Sequence, residues 1–360
     1  MQIGVHMGYQ NLRGEPDFDF FRKETQLMVE AEAMGFDFAA CVEHHFTDYA
    51  ACPDPIQALS WVAAKTKTIK LMPAAVILPW NDPLRVVEKA SMLDSLCEGR
   101  LLLGMGRGAA RREFTGFRKD LADSRELFDE AALIIMEGLE TGVVQADTKH
   151  FKQPPVEVRP RPQNWSRDRM VMVSMSPSSA EVAAEYGLKA LRFSQGEWER
   201  SMPEINAYRS TFEAKHGKKA PPFVISDFVV CVDTEQEVAE YTDEYFAKQF
   251  YQVATHYEWG GEHFKSLPSY ATYVALGDAM DAAGGPEKAY KGYIAGNLIG
   301  TPEQLFEKHR MRKAMVGDYD IIANFSYGGM PYERAYEQMK RFAEKVMPKL
   351  REDVAAKAAA

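Results

Sequence analysis

A chain of 360 residues, 46% of them apolar, can bury the core of one large domain or two ordinary ones. Its net charge of −9 argues against nucleic acid or an anionic membrane surface as a partner, because binding phosphates over a whole face takes positive potential. Cys41, Cys52, Cys97 and Cys231 form no Cys-x-x-Cys pair, which fits reduced thiols in a cytoplasmic protein; no secretion signal is seen at the start, and no apolar run reaches the roughly 18 residues of a membrane span.

Short apolar, branched runs predict strands at Ile3 to Met7, Phe36 to Val42, Ile69 to Leu78, Arg100 to Met105, Met170 to Ser174, Leu188 to Phe193, Phe223 to Val232 and Tyr319 to Phe325. Helix starts between them are well marked. Asp54-Pro55 and Asp82-Pro83 each set a capping carboxylate before a first-turn proline, and Thr301 to Gln304 and Thr234 to Glu237 have capping-box spacing. Eight strands alternating with helices, and no linker dividing them, predict an α/β fold of the (β/α)8 TIM-barrel type, a single domain over residues 1–350. Residues 255–297, rich in Gly, Tyr and Ala, hold no clean βα unit and read as an insertion, either a lid over the barrel mouth or a structural addition with no part in catalysis. Residues 351–360 close the chain as an alanine-rich tail expected to fray.

Polar features gather where strands of such a barrel end, the rim on which barrel enzymes build their sites. Glu43-His44-His45 follows the second strand, and either histidine could be a general base or a structural residue; adjacent side chains on an extended segment point apart, so the pair chelates a metal badly and no metal is expected. One ring should face the mouth while the other anchors the loop. Gly104-x-Gly106-x-x-Ala109 superficially matches a dinucleotide fingerprint, yet no helix opens there, so a Rossmann site is disfavoured. Among the arginines that follow, Arg107 at a strand end and Arg125 at a helix start are placed to grip a phosphate. Ser176-Pro177-Ser178-Ser179 follows the fifth strand and opens a helix, whose N-terminus is an anion seat; plain capping would explain the same residues.

The motifs Glu43-His44-His45-Phe46-Thr47, Ala74-Ala75-x-x-Leu78-Pro79, Leu93-Asp94-x-x-x-x-Gly99-Arg100 and Gly104-x-x-Arg107-Gly108 occur in that order. Ser124-Arg125, Ser176 with Ser179, Glu181-x-Ala183-Ala184, Gly300-Thr301-Pro302 and Val346-Met347-Pro348 follow. With these the chain resembles the bacterial luciferase-like flavin monooxygenases, most of all the catalytic chain of bacterial luciferase. The resemblance implies a barrel that takes reduced FMN as co-substrate from a separate flavin reductase, activates dioxygen as a flavin 4a-peroxide and oxygenates a small organic substrate. It implies that His44 is the acid/base beside the flavin with His45 as its support, and that Arg107, Arg125, Ser176 and Ser179 hold the flavin phosphate. Ala74-Ala75 matches a non-proline cis peptide under the flavin ring. A homodimer, or a heterodimer with a related chain, packed through barrel helices is implied as well. Three positions depart from the pattern: Gly106 replaces a reactive cysteine, Ser194 a tryptophan and Met175 an acidic residue, which disfavours light emission and points to a rebuilt substrate pocket. Arg192, near Ser194, is expected to meet an anionic substrate or the reduced flavin ring. The alternatives are a deazaflavin-dependent hydride-transfer enzyme, a non-catalytic flavin-binding or partner subunit and, more remotely, a metallohydrolase barrel.

Overall fold

The computed structural model describes residues 1–358. Parallel strands Ile3–Met7, Phe38–Cys41, Lys70–Pro73 with Val76–Ile77, Leu103–Gly106, Met170–Val173, Lys189–Phe193, Phe223–Phe228 and Tyr319–Ser326 form one sheet. The first strand pairs with both the second and the eighth, and Leu71 bridges to Leu101, so the sheet curls into the expected eight-stranded barrel. The third strand is in two pieces, interrupted at Ala74 and Ala75, whose shared peptide is cis.

Side chains alternate between the two faces of each strand. Phe38, Ala40, Met72, Val171, Leu191, Val224 and Ile322 fill the barrel interior, while the larger core packs strands against helices. The helices begin where the capping chemistry predicts. Asp54 and Asp82 accept from the backbone amides of Gln57 and Arg85, and Thr234, Thr301 and Ser176 each make a capping box.

The excursion after the seventh strand begins earlier than the composition suggested. A helical run, Glu235–Tyr241 continued by a π turn at Thr242–Phe246 and by Ala247–His256, leads into the short helices Glu262–Lys265, Ala271–Ala282, Pro286–Ala289 and Lys291–Ile294. The barrel helix belonging to this strand is Pro302–Val316. Both ends of the excursion are pinned, because Val230 and Cys231 pair in parallel with Ile299 and Gly300. Its tip docks on the barrel rim through the buried Phe264 and Tyr270, which pack with Ala109, Phe114 and Leu121. A second, unpredicted feature is the antiparallel pair Val143–Asp147 with Lys152–Glu157. The final helix is Met347–Ala358; of the tail expected to fray, residues 359 and 360 lie outside the described residues. Among the described residues no helix is long and apolar enough to cross a membrane.

Candidate functional site

The carboxyl ends of strands two to seven, roofed by the excursion, surround a cavity that opens to solvent. Small residues line part of its floor. A Cβ on Gly104 would lie 2.1 Å from the Pro73 carbonyl oxygen, so only glycine lets the fourth strand pass the interruption in the third. At Gly106 a Cβ would stand 2.9 Å from Ile77 Cδ1 and 3.2 Å from the Ala75 methyl. Ala74, Ala75 and Gly106 thus present a flat, small-residue surface to the cavity.

His44 lines the cavity at the end of the second strand. Its Nδ1 is 2.9 Å from Glu113 Oε1, and its Nε2 is 3.1 Å from the Tyr257 hydroxyl. With Nδ1–H donated to the carboxylate, Nε2 is the nitrogen left to accept from Tyr257 or exchange a proton in the cavity. Glu113 Oε1 also accepts the backbone amide of His45 at 2.8 Å. Burial would raise the Glu113 pKa, but the charge and hydrogen bond of His44, with His256 and the His45 amide, outweigh it and hold the carboxyl below its ordinary range. His256 stacks on Tyr49 with ring centroids 4.3 Å apart, and burial together with His44 lowers its pKa to about 3. The ligand atoms of His44, Glu113 and His256 lie within 4.8 Å of one another, close enough to hold a cation. The hydrogen bonds from His44 and His45 to Glu113 account for the same arrangement without one.

The other end of the cavity is cationic. Arg107 donates from Nη2 to the Ser269 carbonyl at 2.8 Å and lies 4.0 Å over the Tyr270 ring, while its buried Nη1 has no partner among the described residues. Burial lowers the Arg107 pKa, and the nearby charge of Arg125 lowers it further. Two guanidinium groups this close, one with an unmet donor, call for an anion between them. Arg125, whose other neighbour is Asp129 at 3.5 Å, and the hydroxyl-bearing helix start at Ser176 and Ser179 line the same end. These residues fit the phosphate of a flavin nucleotide, and the flat floor fits its ring.

Of the residues singled out in the sequence, His44, Ala74, Ala75, Gly106, Arg107, Arg125, Ser176 and Ser179 line this one cavity. His45 does not. Its ring packs 4.6 Å from Phe117 and reaches back to Glu43 at 3.4 Å, so it anchors the loop. Glu43 is spoken for, accepting from Trp80 Nε1, Asn81 Nδ2 and the Ile77 amide. Arg192, expected to face the cofactor or substrate, turns outward and pairs with Glu204 at 3.1 Å, because Leu191 and Phe193 on either side of it take the inward face of the strand. Ser194 donates to Asp227 at 2.6 Å, and Met175 Sδ accepts the Phe193 amide at 3.5 Å. Glu113, Tyr257 and His256 escaped sequence reasoning, although Glu113 sits among the rim arginines.

The family pattern described as luciferase-like monooxygenase matches residues 1–318. The alkanal monooxygenase alpha chain of the Kryptophanaron alfredi symbiont is 34% identical over 170 residues, 47% of this chain and 48% of that protein, so the match spans about half the length of that relative. Among solved structures, the monooxygenase RslO1 of Streptomyces bottropensis superposes with a TM-score of 0.81 at 24% identity, covering 97% of this chain and 99% of that one. The oxygenating component of a type II Baeyer-Villiger monooxygenase of Pseudomonas putida, solved with FMN, gives 0.75 at 17% identity over 97% and 98%. A coenzyme F420 dependent tetrahydromethanopterin reductase of Methanopyrus kandleri gives 0.69 at 16% over 96% and 98%. Likeness at these identities is likeness of fold.

Proposed function

The chain belongs to the luciferase-like monooxygenase family, and from that premise we propose that it is a reduced-FMN-dependent monooxygenase, supplied by a separate flavin reductase, that oxygenates a small organic substrate with dioxygen. The observation that carries this reading is the convergence, in one cavity, of a buried guanidinium with an unmet donor and an imidazole fixed between a carboxylate and a tyrosine hydroxyl. Reduced FMN, when bound, supplies the electrons with which one oxygen atom of dioxygen enters the substrate and the other leaves as water.

The chain's own residues divide the remaining work. Arg107 and Arg125, with the Ser176 and Ser179 hydroxyls, bind the phosphate and fix how far the cofactor reaches into the barrel. Ala74, Ala75 and Gly106 give its ring a flat seat. His44 takes or returns a proton at Nε2, Glu113 stabilises the charge on the imidazole, and the Tyr257 hydroxyl holds the exchanging nitrogen in place. The excursion roofs the cavity with Tyr257, Trp259, Tyr273 and Tyr293 and limits the access of water. A dimer packed through barrel helices agrees with the exposed Trp61, Met92, Leu96 and Leu133, which lie on neighbouring helices.

Anaerobic titration with reduced FMN and, separately, with a reduced deazaflavin tests the cofactor. Mixing with oxygenated buffer then reads how much hydrogen peroxide escapes with and without organic substrate. Preferred binding of reduced FMN and a substrate-dependent fall in peroxide are expected. A preference for the deazaflavin, absence of flavin binding, or no turnover by the purified chain would overturn the reading.

A further inference from the structure

Resting on the monooxygenase reading above, we propose that the half of the cavity away from the phosphate end is a substrate chamber built for a neutral, planar aromatic molecule with a hydroxyl or carbonyl on its edge. Around the rim the flavin-side residues accompany strands two to five: His44 after the second, Ala74 and Ala75 at the break in the third, Arg107 after the fourth, Ser176 after the fifth. The ends of strands six and seven and the excursion above them contribute Phe193, Phe228, Phe246, Phe250, Trp259 and Tyr293. The flavin seat and the aromatic wall therefore face each other across one opening.

The wall is flat-sided. Trp259 and Tyr293 lie within 21° of parallel with centroids 6.0 Å apart, and Phe250 meets them edge-on at 79° and 64°. Phe228 is held against Phe246 at 69°. Rings locked edge-to-face keep their planes, so a planar solute finds stacking and edge contacts already arranged. A flexible alkyl chain would gain only buried area there and would lose its rotational freedom.

Charge and polarity narrow the class further. The charged residues lining the cavity are Glu43, Arg107, Glu113 and Arg125, all on the flavin side. In the aromatic half Asn297 is consumed, its Oδ1 accepting the Phe228 amide and its Nδ2 donating to the Tyr293 carbonyl, each at 2.9 Å. Ser194 is consumed as well, its hydroxyl donating to Asp227. The Tyr293 hydroxyl is raised to about 12 by burial alone, with no hydrogen-bond partner among the described residues. It remains a neutral donor at physiological pH and, with the side-chain amide of Gln195 that lines the same half of the cavity, meets a polar group on the edge of an otherwise apolar ring.

Equilibrium binding of naphthol, naphthalene and decanal to the FMN-loaded protein, read by tryptophan quenching and calorimetry, tests this assignment. Naphthol is expected to bind more tightly than decanal, and Trp259→Leu to weaken naphthol about tenfold while FMN affinity is retained. Tyr293→Phe should narrow the preference for naphthol over naphthalene without disturbing the wall. Decanal binding as tightly as naphthol, or Trp259→Leu and Tyr293→Phe both leaving naphthol unaffected, would overturn the chamber. Absence of FMN binding by the parent protein would instead overturn the monooxygenase reading, and naphthol titration of the flavin-free protein would still report on the chamber.

Discussion

Glu113 Oε1 stands 2.9 Å from His44 Nδ1 although 69 positions separate the two residues, and the same oxygen holds the His45 backbone amide. One carboxylate therefore sets both the ring orientation of His44 and the course of the loop that carries it. Glu113→Gln keeps the size of the side chain but removes the charge that stabilises an imidazolium. Its oxygenation rate should fall by about 100-fold, on the order of a general acid/base contribution, with FMN affinity nearly unchanged. His44→Ala should retain FMN and convert turnover to hydrogen peroxide release. The ratio of oxygenated product to peroxide measures both variants, and a parental ratio in either would remove that residue from the proton chemistry.

Arg107 makes one protein hydrogen bond to Ser269, yet its buried Nη1 makes none among the described residues. A phosphate oxygen would satisfy that donor with a charge-assisted bond, a contribution of about 1.5 to 3 kcal/mol, or roughly 10- to 150-fold in affinity. Arg107→Ala should weaken FMN by this factor in a fluorescence titration and leave riboflavin, which has no phosphate, almost unaffected. Equal losses for both flavins would place the contact of Arg107 elsewhere on the cofactor.

Gly104 carries a structural demand that no other residue type meets, because the position of its absent Cβ lies 2.1 Å from the Pro73 carbonyl oxygen. The obstacle is backbone, so it cannot swing aside as a side chain would. Gly104→Ala should destabilise the barrel by about 3 kcal/mol, the upper end of overpacking costs, measured as a shift in the urea midpoint. Gly106→Ala meets a side-chain methyl at 2.9 Å, should cost less, and should act mainly on the flavin seat.

What could be read without coordinates was local. Branched apolar runs marked the barrel strands, and Asp-Pro and Thr-x-x-Glu or Gln pairs marked helix starts, because propensity and capping act within a few residues. The Glu43-His44-His45 run drew attention to His44 for the same reason. Glu113 becomes meaningful only when the short helix Arg111–Gly116 folds across the barrel mouth, and His256 and Tyr257 only when the excursion arrives there from the seventh strand. The Thr234 capping box misled the reading of that excursion: it starts a roof helix rather than a barrel helix, and both kinds begin with the same chemistry. Arg192 is different. Its outward direction follows from the alternation of Leu191, Arg192 and Phe193 along the strand, a period of two that the sequence displays; its partner Glu204, on the next helix, does not announce itself.

Three buried histidines make the fold sensitive to acid. Burial lowers the pKa of His6 to about 4, of His256 to about 3 and of His309 to about 4, with further lowering from His44 for the first two and Lys313 for the third. In the unfolded chain each titrates near 6.5. As pH falls below that value the unfolded state takes up protons that the fold refuses, so stability drops, by up to about 1.4 kcal/mol per pH unit for each histidine. Glu24 acts in the opposite direction. Burial raises its pKa to about 7 from an unfolded value of 4.5, so its contribution is complete below 4.5 and is lost as pH rises through 7. Between those limits it cancels about one histidine's slope, leaving roughly two. Urea midpoints measured from about pH 7.5 to 4.5 should therefore decline on acidification, less steeply in His309→Gln and more steeply in Glu24→Gln. A flat profile in the parent protein would mean that these imidazoles accept protons inside the fold, and the neutral His256 stacked on Tyr49 would then have to be redrawn as a cation beside Glu113.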